Sequence, residues 1–111
     1  MKNEKTPAYE ARIRRNLSFN TCHFGRAHVI TNEYSKGGNL AVELVDLNGE
    51  GIAMLSVNIP ESSHLLGENE FFVKTWSENE EIAKDALASG IFRDTNRCNS
   101  GFLRASIWAI N

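Results

Sequence analysis

The 111 residues predict an α+β fold, an antiparallel sheet of five or six strands with one main helix packed on it, and three observations carry that reading. Residues 38–60, GNLAVELVDLNGEGIAMLSVNIP, hold two runs of period-two alternation around an Asn48-Gly49 pair, the strongest short-range hairpin signal. Residues 77–90 carry start and stop signals of a helix, and residues 102–110 alternate again as a last strand. A chain of this length with 41% hydrophobic residues supports one core. No repeat, linker or low-complexity stretch marks a second domain, so a single α+β domain is expected over residues 9–111, behind a mobile tail at residues 1–8.

The elements follow in chain order. Over residues 9–20, charge at Glu10, Arg12, Arg14 and Arg15 interleaves with Ala11, Ile13, Leu17 and Phe19, the pattern of a strand with one wet face. Residues 24–34 form a second strand and stop at the flexible Ser35-Lys36-Gly37-Gly38. In the hairpin, Leu40, Val42 and Leu44 share one face and Ala41, Glu43 and Val45 the other; the return strand sets Ile52, Met54 and Ser56 opposite Ala53, Leu55 and Val57. Both faces are largely apolar, which predicts a central position with something packed over each side. Pro60 ends this strand, residues 61–69 read as a polar loop, and Phe71-Phe72-Val73 as a short buried strand.

Ser77 with Glu80 three positions on predicts a capping box, and Glu78, Glu80 and Glu81 put negative charge where the helix dipole favours it. Ile82, Ala83, Ala86 and Leu87 form a narrow apolar stripe, half of it alanine, so the helix should lie close on the sheet; Gly90 ends it. Residues 93–101 read as a polar loop.

Composition limits function. A net charge of −2 disfavours a domain whose main task is neutralising nucleic-acid phosphates. The polar first residues lack the apolar segment of a secretory signal, and the longest apolar run, residues 52–55, is far too short to cross a bilayer, so a cytoplasmic protein with no membrane partner is expected. Cys22 and Cys98 should then stay reduced. They and His23, His28 and His64 supply enough donors for zinc, but without Cys-x-x-Cys or His-x-x-x-His spacing; no metal and no cofactor is expected. Cys22-His23 is adjacent without being a catalytic pair, and no nucleophile motif stands elsewhere, so the chain is read as no enzyme.

Charge is unevenly spread. Residues 61–85 hold seven acids against two lysines, a local balance of −5. Glu70, Trp76, Glu78, Glu80, Glu81 and Asp85 are the candidate contact residues of an acidic surface that docks on a basic groove of a nucleic-acid-handling partner. Arg12, Arg14 and Arg15 near the front, with Arg93 and Arg97 near the end, are the candidates for the mirror-image function, a nucleic-acid-binding accessory protein. A third reading, a small ligand-binding domain or enzyme, calls for a polar pocket holding His23, His28 or His64. The last strand, at a sheet edge, could pair with its copy in a homodimer.

Gly38-Asn39-Leu40-Ala41-Val42-Glu43-Leu44, Leu55-Ser56-Val57-Asn58-Ile59-Pro60, Phe72-Val73 and Ser100-Gly101-Phe102 resemble a family of short bacterial proteins, domain-of-unknown-function family 4313, over roughly residues 37–110. Lys74-Thr75-Trp76 departs from the acidic, asparagine-rich turn that the family pattern leads one to expect after Phe72-Val73. The resemblance carries no activity. It implies a setting on phages, plasmids and conjugative elements, where small acidic proteins act by binding, and hence an anti-CRISPR-like inhibitor of a host defence nuclease.

Overall fold

A computed structural model describes residues 13–111, with side chains from residue 17 onward; the expected tail at residues 1–8 and Arg12 lie outside the described residues. The elements are β1 (Ile13–Asn20), β2 (Arg26–Glu33), β3 (Leu40–Val45), β4 (Gly51–Met54), β5 (Glu70–Val73), α1 (Glu80–Ala88), β6 (Phe92–Cys98) and β7 (Ser106–Ile110), with 3₁₀ turns at Pro60–Leu65 and Ser77–Asn79. The α+β class and the one main helix are as expected. The strands form two antiparallel sheets in place of one: four strands in the order β1-β2-β3-β4, and three in the order β5-β7-β6.

The split lies at Ser56. The backbone N–H groups of Leu55 and Ser56 both donate to Val42 O, at 2.9 and 3.2 Å. Immediately afterwards Val57 N donates to Phe72 O at 2.9 Å, and Lys74 N donates to Leu55 O at 2.7 Å. The return strand of the hairpin therefore leaves β3 and crosses to β5, where Ser56 makes an isolated bridge with Val73. The buried Ser56 hydroxyl accepts from Val42 N at 2.9 Å and pairs with Tyr34 Oη at 2.8 Å, so the crossing leaves no backbone donor of Val42 unmet.

The hairpin itself is as the alternation predicts, with Leu44 opposite Ala53 and Glu43 opposite Met54. Gly49 takes φ +86° in the turn. Asp46 Oδ1 accepts from Asn48 N and Glu50 N, both at 2.9 Å. A register shift beyond Leu44 makes Ile52 an extra residue, and Ile52 and Ala53 both pack toward the core instead of alternating.

The main core lies between the sheets. Val29, Val42 and Leu44 face Phe71, Val73, Phe92, Trp108 and Ile110, with Ile82, Ala83 and Ala86 of α1 against them. Phe71, Phe92 and Trp108 contact one another at ring-centroid distances of 5.8 to 6.5 Å. Phe19 meets Phe92 edge-on at 6.5 Å, joining the outer strands β1 and β6, and α1 packs against both of those strands. The helix thus covers the gap where the two sheets do not pair. A smaller cluster of Ile59, Phe72, Ala105 and Ile107 lies on the other face of β5 and β7, under the 3₁₀ turn at Pro60–Leu65.

Other expectations are corrected. Residues 92–98 form β6 where a polar loop is predicted from residue 93, and β7 begins at Ser106, leaving Phe102 and Leu103 in an exposed loop. β7 is the central strand of its sheet, so it offers no free edge for a homodimer. Leu87 is exposed rather than part of the buried stripe. Ser77 does not cap α1: it takes φ +63° at the start of a 3₁₀ turn, and neither it nor Asn79 bonds a helical N–H through its side chain. Asn79, 1% exposed, instead donates through Nδ2 to Met54 O (2.7 Å) and Lys74 O (3.1 Å), tethering the helix start to β4 and to the end of β5. Gly90 has φ +83° and ends the helix as predicted. Among the described residues no helix is long and apolar enough to cross a membrane.

Candidate functional site

The connection from β5 into α1 builds the most distinctive surface. Val73 ends in the core, Lys74 bonds back to Leu55, and the chain then rises through Thr75 and Trp76 before Asn79 pins it down again. Trp76 is left 36% exposed beside Thr75, which lines a shallow groove of about 230 Å³ together with Glu80, Ala83, Lys84, Leu87 and Trp108. The floor is apolar: Ala83 and Trp108 are buried, and Leu87 is 39% exposed at the side. Glu80 and Glu81 stand exposed on the first turn of α1, where the dipole favours carboxylates.

Three of the six acidic-surface residues, Trp76, Glu78 and Glu80, stand at this connection, and three do not. Glu78 and Glu80 stand at the helix start next to Trp76, whereas Glu81 lies close enough to Cys22 for its charge to act on that thiol. Glu78 accepts from Lys74 Nζ at 2.7 Å, an exposed pair that holds its carboxyl below the ordinary glutamate range. Asp85 faces the far end of β1 and is occupied: it accepts from Cys22 N at 2.9 Å and from Cys22 Sγ at 3.4 Å. The hydrogen bond and the negative charge push the Cys22 thiol up from its ordinary value, so Cys22 is a poorer nucleophile than an unpaired cysteine. Cys22 and Cys98 are both free and exposed.

Glu70 lies elsewhere, at the start of β5. Its carboxylate pairs with Arg97 and accepts from Gly67 N at 2.7 Å, and these contacts hold it below the ordinary range. The same arginine donates from Nη1 to Leu65 O at 2.9 Å. Glu70 and Arg97, assigned to opposing surfaces, are therefore partners that clamp the 3₁₀ segment onto the edge of the second sheet. Twenty-seven residues apart, they have no local pattern to betray them.

Of the basic set only Arg93 and Arg97 have described side chains, and they share β6. Arg12 lies outside the described residues, and of Arg14 and Arg15 only the β1 backbone is described. Arg93 is exposed on β6, while Arg97 is committed to Glu70. For the ligand-binding reading, surface clefts of about 230 to 390 Å³ among the described residues are lined by no histidine. Among the described residues no three His, Cys, Asp or Glu side chains gather as metal ligands.

Sequence reasoning missed Leu87, Lys84 and Thr75 as groove residues, because the groove appears only when α1 is set against Trp108. Comparison with protein-family models, with curated proteins and with solved structures finds no match for this chain.

Proposed function

We propose that this chain is a non-enzymatic protein-binding module whose contact face is the groove beside Trp76, with Glu80 lining it and Glu78 and Glu81 on the same helix start. The observation that carries the reading is the juxtaposition of an exposed tryptophan, an apolar groove and clustered carboxylates on one rigidly tethered connection. Aromatic anchors in partly apolar settings dominate binding energy, and like-signed rim charge steers association with an oppositely charged partner. The partner that fits is basic and handles nucleic acid. In line with the resemblance to domain-of-unknown-function family 4313, a host defence nuclease of the CRISPR-effector kind is the proposed target, inhibited by occupation of its nucleic-acid groove in the cytoplasm of a cell carrying a mobile element.

The test is a cleavage assay with a purified CRISPR effector nuclease, titrated with wild-type protein, with Trp76→Ala, and with the triple reversal Glu78→Lys, Glu80→Lys, Glu81→Lys. The wild type is expected to suppress cleavage, Trp76→Ala to weaken suppression by about tenfold or more, and the triple reversal to abolish it. Suppression unchanged by the reversal would reject this face. No binding to any such effector would reject the target class.

A further inference from the structure

The loop between β6 and β7 is built to hold an apolar knob outward. Asn99, 1% exposed, donates from Nδ2 to Leu103 O at 2.7 Å and accepts from Ala105 N at 2.8 Å, while its own N–H reaches Ala105 O at 3.4 Å. Those contacts fix both ends of the turn. Phe102, between them, is fully exposed, Leu103 is 42% exposed, and Arg104 is exposed beside them. Phe102 and Leu103 together make a small contiguous apolar patch on the turn.

The complement of that knob stands on the same molecule. The groove lined by Thr75, Glu80, Ala83, Lys84, Leu87 and Trp108 is apolar on its floor, and at about 230 Å³ it suits a side chain rather than a large ligand. Glu80 and Lys84 both line it and Glu78 nearby is paired with Lys74, so the groove carries one carboxylate, Glu80, for the Arg104 of the knob. Strand register sets the two features at one end of the second sheet. Val73 pairs with Ser106 and Ser106 with Cys98, so the chain leaving β5 toward Thr75 and the turn after Cys98 emerge on the same side.

We infer that a second copy of this chain is the occupant: Phe102 and Leu103 of one protomer seat in the groove of the other, with Arg104 against Glu80, and the exchange is reciprocal. Knob and groove at one end let a two-fold axis close both contacts at once, which a head-to-tail contact between opposite ends would not do. This contact replaces the edge-strand dimer that the position of β7 forbids. It needs only the groove and the knob; since the inhibitor reading uses the same groove, the second copy and the effector compete for it, and the dimer would be the form that holds the groove closed.

Sedimentation equilibrium over a range of protein concentrations tests it, with far-UV circular dichroism confirming that each variant is folded; all altered residues are exposed. The wild type is expected to be a reversible dimer. Phe102→Ser, Arg104→Glu and Glu80→Arg are each expected to weaken dimerisation by about tenfold or more, and the double variant Glu80→Arg/Arg104→Glu to restore it, since the swapped charges again oppose each other across the interface. A wild type that stays monomeric, a dimer indifferent to Phe102→Ser, growth into open chains, or a double variant no better than its parents would each overturn the inference. Stronger effector suppression by Phe102→Ser than by wild type, beside lost dimerisation, would show both contacts on one groove; lost dimerisation with no suppression by either protein would keep the dimer and reject the inhibitor reading.

Discussion

The Glu70 carboxylate sits between the Arg97 guanidinium and the N–H of Gly67, and that arrangement makes it a local sensor of acid. Both contacts favour the charged form in the folded state and hold the carboxyl below its ordinary value. The stability it contributes is complete above the unfolded glutamate pKa of about 4.3 and drains away as pH falls through the depressed folded-state value. Arg97 is about half exposed, so solvent screens the pair and its worth is modest. Glu70→Gln is expected to cost about 1 kcal/mol at neutral pH and progressively less below pH of about 4, as the wild type loses the same charge. Urea denaturation of both proteins across that range checks it. A constant difference between them at all pH values would show that the pair contributes through shape alone.

The β6–β7 hairpin shows how an element escapes a sequence reading. Phe92-Arg93-Asp94-Thr95-Asn96-Arg97-Cys98 has no apolar alternation because it is an edge strand, with Phe92 alone turned into the core. Its polarity looks like a loop. The strand is also bulged between Asp94 and Arg97: Asn96 takes φ +64°, Asp94 Oδ1 accepts from Asn96 N at 2.9 Å, and Thr95 Oγ1 donates to Ile107 O at 2.6 Å. A bulged, charged edge resists pairing with another chain, so the same residues that hid the strand protect it. Asn99 then closes the turn, and Asn99→Ala is expected to leave the buried Ala105 N–H without its partner at a cost of about 1–3 kcal/mol. Amide exchange at Ala105 should quicken together with the drop in denaturation midpoint. An unchanged midpoint would mean that the turn holds its shape by other contacts. By contrast the β3–β4 hairpin was legible in its turn and in β3, where the Asn-Gly pair and the apolar run agree, but not in the central position expected of it: β4 is a bulged edge strand with Met54 exposed. The helix was legible in extent but not in its cap, because the tether made by Asn79 depends on β4 lying alongside, a contact that sequence spacing does not encode.

At the scale of the molecule, what the alternation could not reveal was the division into two sheets, since a strand that changes partners keeps the same period. Residues 52–57 read as one continuous run, yet Leu55 donates to β3 and accepts from Lys74 just past β5. The candidate surface was half legible for the same reason: Trp76 and the glutamates beside it are close in sequence, whereas the groove needs Trp108 from the last strand. Leu55 is fully buried at this junction, packed within the core that both sheets and α1 share. If that core is one cooperative unit, Leu55→Ala should lower stability by about 2–5 kcal/mol through lost burial and the cavity left behind, while keeping a single transition. Trp108 lies in the second sheet and Trp76 just after its strand β5, so tryptophan fluorescence weighs that sheet, and far-UV circular dichroism averages over both. Coincident transitions by the two probes are expected in the wild type and in Leu55→Ala alike. Separate midpoints in the variant would mean that the sheets fold as independent halves and that the crossing at Ser56 is a hinge; coincidence ties the groove beside Trp76 to the stability of the whole chain.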